Sequence, residues 1–214
     1  MKKIINLALI SLLLLLGINM LINTSTSNSK YNLNTNLIKQ VSANVPDYTP
    51  LDKIPQNFIK AIVAVEDRRY YKHHGFDIEA IGRASWANLK GGTITQGGST
   101  ITQQLAKNLF LSNDKTYNRK IKELILAIKL EQLYTKDEIL EMYINVIYYG
   151  SDAYGIQAAS QTYFGKNAAN LSLEECALLA GLPQAPSIYN PKTNPALALE
   201  RQNTVLSLMK QTAD

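Results

Sequence analysis

The run from Thr116 to Tyr134, TYNRKIKELILAIKLEQLY, limits the fold more than any other stretch of the chain. Its spacing predicts one long helix, and Ile121, Leu124, Ile125, Leu126, Ile128, Leu130 and Leu133 go nearly all the way round it. Such a pattern predicts a central helix rather than a surface one. Helix start and stop signals recur on both sides of it. Pro55 is placed to begin a helix through PQNFIKAIVAVE to Glu66, and Asp77 caps DIEAIGRASWANLK, which Gly91 and Gly92 stop. Ser99 offers an N-cap for STITQQLAKNLF. Thr135 with Glu138, and Ser172 with Glu175, form capping boxes; the first opens a helix through Asn145, the second one that Gly181 and Pro183 end. Ala153 to Phe164 reads as a further helix stopped by Gly165, and Asn194 with Pro195 starts a last one toward Thr212. With no convincing strand pattern and no repeat, the chain is expected to be mostly α.

Ahead of this domain, Ile4 to Ile22 are 19 consecutive uncharged residues, close to the ~20 needed to cross a bilayer. Lys2 and Lys3 precede them, which predicts a single-pass transmembrane anchor over residues 1–23 with a cytoplasmic N-terminus. A cleaved signal peptide is the rival reading, though the apolar run is long for one and no small-x-small site follows closely. Thr24 to Tyr48, rich in Asn, Ser and Thr, reads as a tether or loosely packed arm. The expected organisation is therefore an anchor at 1–23, a linker at 24–50 and one helical domain at 51–214. Formal charge is +5, and +3 once Lys2 and Lys3 are set aside. That suits an anionic lipid surface or a phosphate-bearing ligand and is too weak for nucleic acid. The single cysteine, Cys176, excludes an internal disulfide framework and reads as a small core residue.

Three clusters are able to carry chemistry. In AIVAVEDRRYYKHHG, Ala61 to Gly75, an apolar helix ends in Glu66, Asp67, Arg68, Arg69, Lys72, His73 and His74. Either these groups lie at a wet edge, or apolar surroundings perturb their protonation for a purpose. Glu123, one turn after Arg119, is either half of a surface ion pair or a carboxylate enclosed with Arg119 and Lys120 as its cations. The segment Ser99 to Asn108 puts Ser99, Thr100, Thr102, Gln103, Gln104 and Lys107 near a helix N-terminus, where free N–H groups attract anions. That arrangement fits a phosphate or sugar, and fits a polar exposed helix equally. The adjacent histidines diverge by about 100° on a helix, which disfavours a metal site of the HExxH type. No GxSxG or P-loop pattern occurs.

Taken in order, these motifs resemble one family. Glu66, Asp67, Tyr70, His73 and Gly75 form E-D-x-x-[aromatic]-x-x-H-x-G; GGSTITQQLAKN follows from Gly97 to Asn108, and R-K-x-x-E at Arg119, Lys120 and Glu123. EMYINVIYYGSDAYGIQAASQTYFGK, Glu141 to Lys166, and LSLEECALLAGLPQAPSIYNP, Leu171 to Pro191, complete the set. The five blocks, spanning about Leu51 to Met209, resemble the peptidoglycan glycosyltransferases: the family 51 domains of class A penicillin-binding proteins and of monofunctional transglycosylases. Tyrosine at 70 departs from the common phenylalanine. The sequence stops after its last helix, where bifunctional members continue into a penicillin-binding transpeptidase domain, so the expected type is the monofunctional one, with a truncated bifunctional product as the alternative.

The resemblance implies a lysozyme-like helical fold on the outer face of a bacterial plasma membrane. It also implies polymerisation of lipid II, a disaccharide-pentapeptide on undecaprenyl diphosphate, into β-1,4 glycan. Glu66 is then the general base that takes the proton of the acceptor 4-hydroxyl. Lys107, Arg119 and Lys120 stabilise the departing diphosphate, with Glu123 holding them. Asp67, His73, Ser99, Thr100, Gln103, Gln104 and Asn108 complete the substrate site, and the Gly91 to Gly98 segment closes on the donor. One base and one in-line displacement imply inversion at the anomeric carbon. No ligand cage is evident, while acidic residues beside a diphosphate leave Mg²⁺ or Mn²⁺ open as a cofactor. Partners implied are lipid II, the growing glycan, membrane lipid and other cell-wall synthesis and division proteins. The rivals are a lysozyme-like glycan-cleaving enzyme, for which the cations around Glu123 have no use, and a catalytically idle scaffold.

Overall fold

The structure is a computed structural model, and it describes residues 29–91, 98–111 and 117–211. Nine helices are described: α1 (Leu37–Asn44), α2 (Gln56–Glu66), α3 (Ile78–Gly91), α4 (Ile101–Phe110), α5 (Tyr117–Leu133), α6 (Lys136–Val146), α7 (Ile156–Phe164), α8 (Leu173–Gly181) and α9 (Pro195–Gln211). Among the described residues the only strand-like pairing is an isolated antiparallel bridge between Tyr148 and Tyr154. The mostly α expectation holds. None of the described helices is long and apolar enough to cross a membrane. The predicted span at Ile4 to Ile22 lies outside the described residues.

The helices form two groups of three. In one, α2, α8 and α9 pack on one another; in the other, α4, α5 and α6 do. The α7 helix touches both α6 and α8, and a single apolar core runs through Phe58, Ile62, Leu105, Leu130, Ile139 and Leu179. Local chemistry explains the boundaries. Thr135 and Ser172 each accept the N3 amide while Glu138 and Glu175 return to the cap amide, so both predicted capping boxes are present. The Asp77 carboxylate accepts from Glu79 N at 2.9 Å and Ala80 N at 3.1 Å, capping α3 as expected. Cys176 is buried and its thiol is pushed up to about 12 by burial, as a core residue should be.

Four expectations are corrected. First, α4 is capped by Thr100, not Ser99, in a reciprocal box with Gln103; the T-x-x-Q spacing lies one residue further on. Second, α7 begins at Ile156 rather than Ala153, because Tyr149 N bonds back to Ala153 O at 2.8 Å and Gly155 turns with φ 85°. Third, α5 is not wrapped. Its buried face is Glu123, Leu126, Ala127 and Leu130, while Ile121 is 54% exposed. The apolar arc is wider than the two neighbours, α4 and α6, are able to cover.

Fourth, the second half of the supposed loose arm is folded. Helix α1 buries Leu37 and Val41 completely, and Leu37 N donates to Tyr134 Oη at 2.8 Å. Asn145 then clamps the next stretch of backbone, accepting from Thr49 N and donating to Thr49 O, each at 2.8 Å. The early segment thus closes one side of the α4–α6 group.

Candidate active site

Glu66 is the last residue of α2, and Asp67, at φ −155°, turns the chain out of the helix. Polar contacts lock the turn from Asp67 to Gly75 in place. Asp67 accepts from Ile101 N at 3.0 Å and lies 2.9 Å from His73 Nε2; both side chains are buried. Tyr70 is fully buried, and its hydroxyl donates to Lys136 O at 2.6 Å while Lys136 Nζ sits 4.4 Å over the ring. The hydroxyl that phenylalanine would lack is therefore used. Gly75 has φ 88°, and a Cβ there would come within 3.1 Å of the Ala127 and Ile128 backbone, so only glycine lets this turn lie on α5. Thr100 Oγ1 ties the turn down, donating to Gly75 O at 2.8 Å.

Both carboxylates connect to the start of α4, Glu66 through Gln104 and Glu123 through Lys120 and Ser99. Gln104 Nε2 donates to Glu66 Oε2 at 2.8 Å. Just ahead of the same helix, Ser99 Oγ accepts from Lys120 Nζ at 2.8 Å, and Lys120 also pairs with Glu123. Arg119 Nη1 meets the other Glu123 oxygen at 3.0 Å. Glu123 is buried, so the enclosed reading applies, and the surface-pair reading does not.

The two acids differ in environment. Burial pushes the Glu66 carboxyl up, and Asp67 adds to this; the Gln104 amide, Arg201 and Lys107 pull the other way. Glu123 is held between two cations. One acid thus lies in surroundings that disfavour its charge and the other between two positive groups.

The predicted set divides accordingly. Glu66, Ser99, Gln104, Arg119, Lys120 and Glu123 connect to the α4 start, while Lys107, partly buried in the last turn of α4, faces Glu66 electrostatically and Asn108 beside it is exposed. Asp67, His73, Thr100 and Gln103 are buried and occupied with one another or with backbone, so they shape the site from behind. His74 is exposed while His73 is buried, as two divergent histidines should be. Among the described residues no group of three or more His, Cys, Asp or Glu is able to hold a metal. Of the Gly91 to Gly98 segment, residues 92–97 lie outside the described residues.

Two residues escape sequence reasoning. Tyr143 on α6 donates to Gln104 Oε1 at 3.1 Å. Arg201 on α9 faces Glu66 electrostatically, stacks 5.4 Å over Tyr189, and donates from Nε to Gly181 O at 3.2 Å. A Cβ at Gly181 would meet Arg201 Cγ at 2.8 Å, so the glycine makes room for it. Nothing local in the sequence marks either residue; both are brought in by packing.

Beside Lys107 and Asn108 opens a cavity of about 390 Å³, lined also by Tyr31, Asn145, Tyr148 and Tyr154. The Tyr148 and Tyr154 rings lie 4.8 Å apart and partly exposed. Aromatic faces, amides and one cation make a surface suited to a sugar phosphate.

A sequence model described as Transglycosylase matches residues 34–210. The chain belongs to the transglycosylase family. Penicillin-binding protein 1A of Aquifex aeolicus is 56% identical to this domain over 162 residues, 76% of this chain and 22% of that protein. Penicillin-binding protein 1A of Escherichia coli is 55% identical over 159 residues, 74% of this chain and 19% of its own. A Cupriavidus necator protein carrying the name transglycosylase is 52% identical over 164 residues, which covers 77% of this chain and 71% of that one. The chain thus spans about a fifth of the penicillin-binding relatives it matches. The match begins at residue 34, so this transglycosylase domain takes in helix α1.

Proposed function

We propose that the domain polymerises lipid II into β-1,4-linked glycan at the outer membrane face, releasing undecaprenyl diphosphate with inversion at the anomeric carbon. The observation that carries this reading is the pair of unlike acids attached to one helix start. Glu66 is enclosed, raised and held by an amide; Glu123 is buried between Arg119 and Lys120.

In this mechanism Glu66 removes the proton from the acceptor 4-hydroxyl as its oxygen bonds to the donor C1. The C1–O bond to the diphosphate breaks, and its electron pair leaves with the diphosphate. That leaving group needs cations more than it needs an acid. Lys120, steered by Glu123 and Ser99, supplies one, Arg119 on the same carboxylate a second, and Lys107, which faces Glu66, a third. A glycan-cleaving enzyme acting on neutral sugar has no use for this cation set. The cavity next to Lys107, with its tyrosines and amides, accommodates the growing sugar chain. Asp67 and His73, buried against the α4 start, act by positioning.

The deciding assay is incubation of purified protein with labelled lipid II and gel separation of the products. A ladder of glycan lengths is expected, abolished in Glu66→Gln with the helical signal intact. A wild-type ladder from that variant removes Glu66 from its role. Lys107→Ala should weaken calorimetric binding of the phosphoglycolipid moenomycin roughly tenfold, the size of one charge-assisted contact. Unchanged affinity would place the cation pocket elsewhere.

A further inference from the structure

Gln104 stands between two groups that make opposite demands on it. Its nitrogen donates to Glu66 Oε2 at 2.8 Å, and its oxygen receives the Tyr143 hydroxyl at 3.1 Å. An ionised carboxylate is an acceptor only, so it requires the NH₂ end of the amide. Tyr143 is fully buried, and burial holds its phenol far above the ordinary range, with Glu66 adding to the effect. It therefore always has a proton to give, and the amide carbonyl is the acceptor it meets.

We propose that Tyr143 is a positioning residue for the base: by donating to the Gln104 carbonyl it fixes which end of that amide faces Glu66, and so keeps the carboxylate ready to accept a proton. This rests on the reading of Glu66 as general base. The consequence is a division of labour between the two carboxylate oxygens. Oε2 takes the amide hydrogen, and Oε1 takes the proton of the acceptor hydroxyl. Without the phenol hydroxyl, the amide turns to satisfy its own buried oxygen. It then offers a carbonyl to Glu66, which favours the protonated acid and removes the base.

Every other group facing Glu66 stays the same in this comparison. Asp67 follows it on the chain, Lys107 comes from α4, Arg201 from α9, and Tyr149 lies beyond α6. Lys107 and Arg201 favour the ionised form and Asp67 opposes it. The relay thus acts on a carboxyl that burial has already raised.

Tyr143→Phe removes one buried hydroxyl and keeps the ring. Its first readout needs no substrate: ¹³C-carboxyl NMR titration of Glu66 should show the group titrating at higher pH than in the unmodified protein. The second is the pH profile of kcat/KM for polymerisation, whose acid limb should move upward, with about a tenfold loss on that limb. The third is the double-mutant cycle with Gln104→Ala. If Tyr143 works through Gln104, adding Tyr143→Phe to Gln104→Ala changes nothing further. An unmoved Glu66 titration, or additive losses, overturns the relay. Should Tyr143→Phe fold poorly, Gln104→Met tests the same link from its other end with the same titration. An active Glu66→Gln enzyme would remove the base assignment instead, leaving the titration free to decide the relay by itself.

Discussion

Glu66 ends an apolar helix in surroundings that raise its carboxyl, and that placement has a cost in stability whose sign is fixed. A carboxyl held above its unfolded value binds more protons folded than unfolded, so its contribution to stability falls as pH rises. Glu66→Gln should therefore melt higher than the unmodified protein at neutral pH, and the gap should close as pH falls toward the unfolded value. Calorimetry across that range checks it; a lower Tm at every pH would contradict the enclosed, raised carboxyl. In polymerisation the same group predicts loss of kcat/KM on the acid side, as protonation removes the base. At this scale the sequence is half legible. Glu66, Gln104, Glu123 and the cations fall in short motifs, so their types and spacing announce them. Tyr143 and Arg201 reach Glu66 from α6 and α9, and no pattern within either helix records what lies opposite.

At the level of elements, the helix ends are the most readable part, because a cap is a contact between neighbours three residues apart. Thr135→Ala, which removes one side of the α6 box, should cost about 1 kcal/mol in urea denaturation. Gly75→Ala should cost more, at least ~2 kcal/mol, since it combines a φ of 88° with a Cβ pressed to 3.1 Å from the α5 backbone. If Gly75→Ala proves neutral, the turn does not lie on α5 as described. The elements that escape the sequence are those whose reason is tertiary. Helix α1 has only Leu37 and Val41 as fully buried apolar side chains, too few to show a period, and it exists because α6 and Tyr134 receive it. In α5 the error runs the other way: an apolar arc reads as burial, and Ile121 shows that periodicity reports amphipathicity without saying what covers it.

For the whole molecule, the two ends of the expected linker should behave differently. Removing residues 1–23 is expected to leave the fold intact while polymerisation of lipid II in vesicles falls relative to detergent. Equal rates in both would make that segment incidental. Removing residues 1–45 takes away α1 and exposes the surface that Leu37 and Val41 cover. At about 1.5–3 kcal/mol per buried aliphatic side chain, that should lower Tm on the order of 10 °C. An unchanged Tm would return α1 to the status of an arm.

The site also straddles the boundary between the two helix trios: Glu66 and Arg201 arrive from α2 and α9, Gln104, Glu123 and Tyr143 from α4, α5 and α6. Under the proposed function, catalytic output is therefore a gauge of docking. A compound wedged between the trios, displacing one by an ångström, would silence the enzyme while every helix stayed wound and circular dichroism recorded no change.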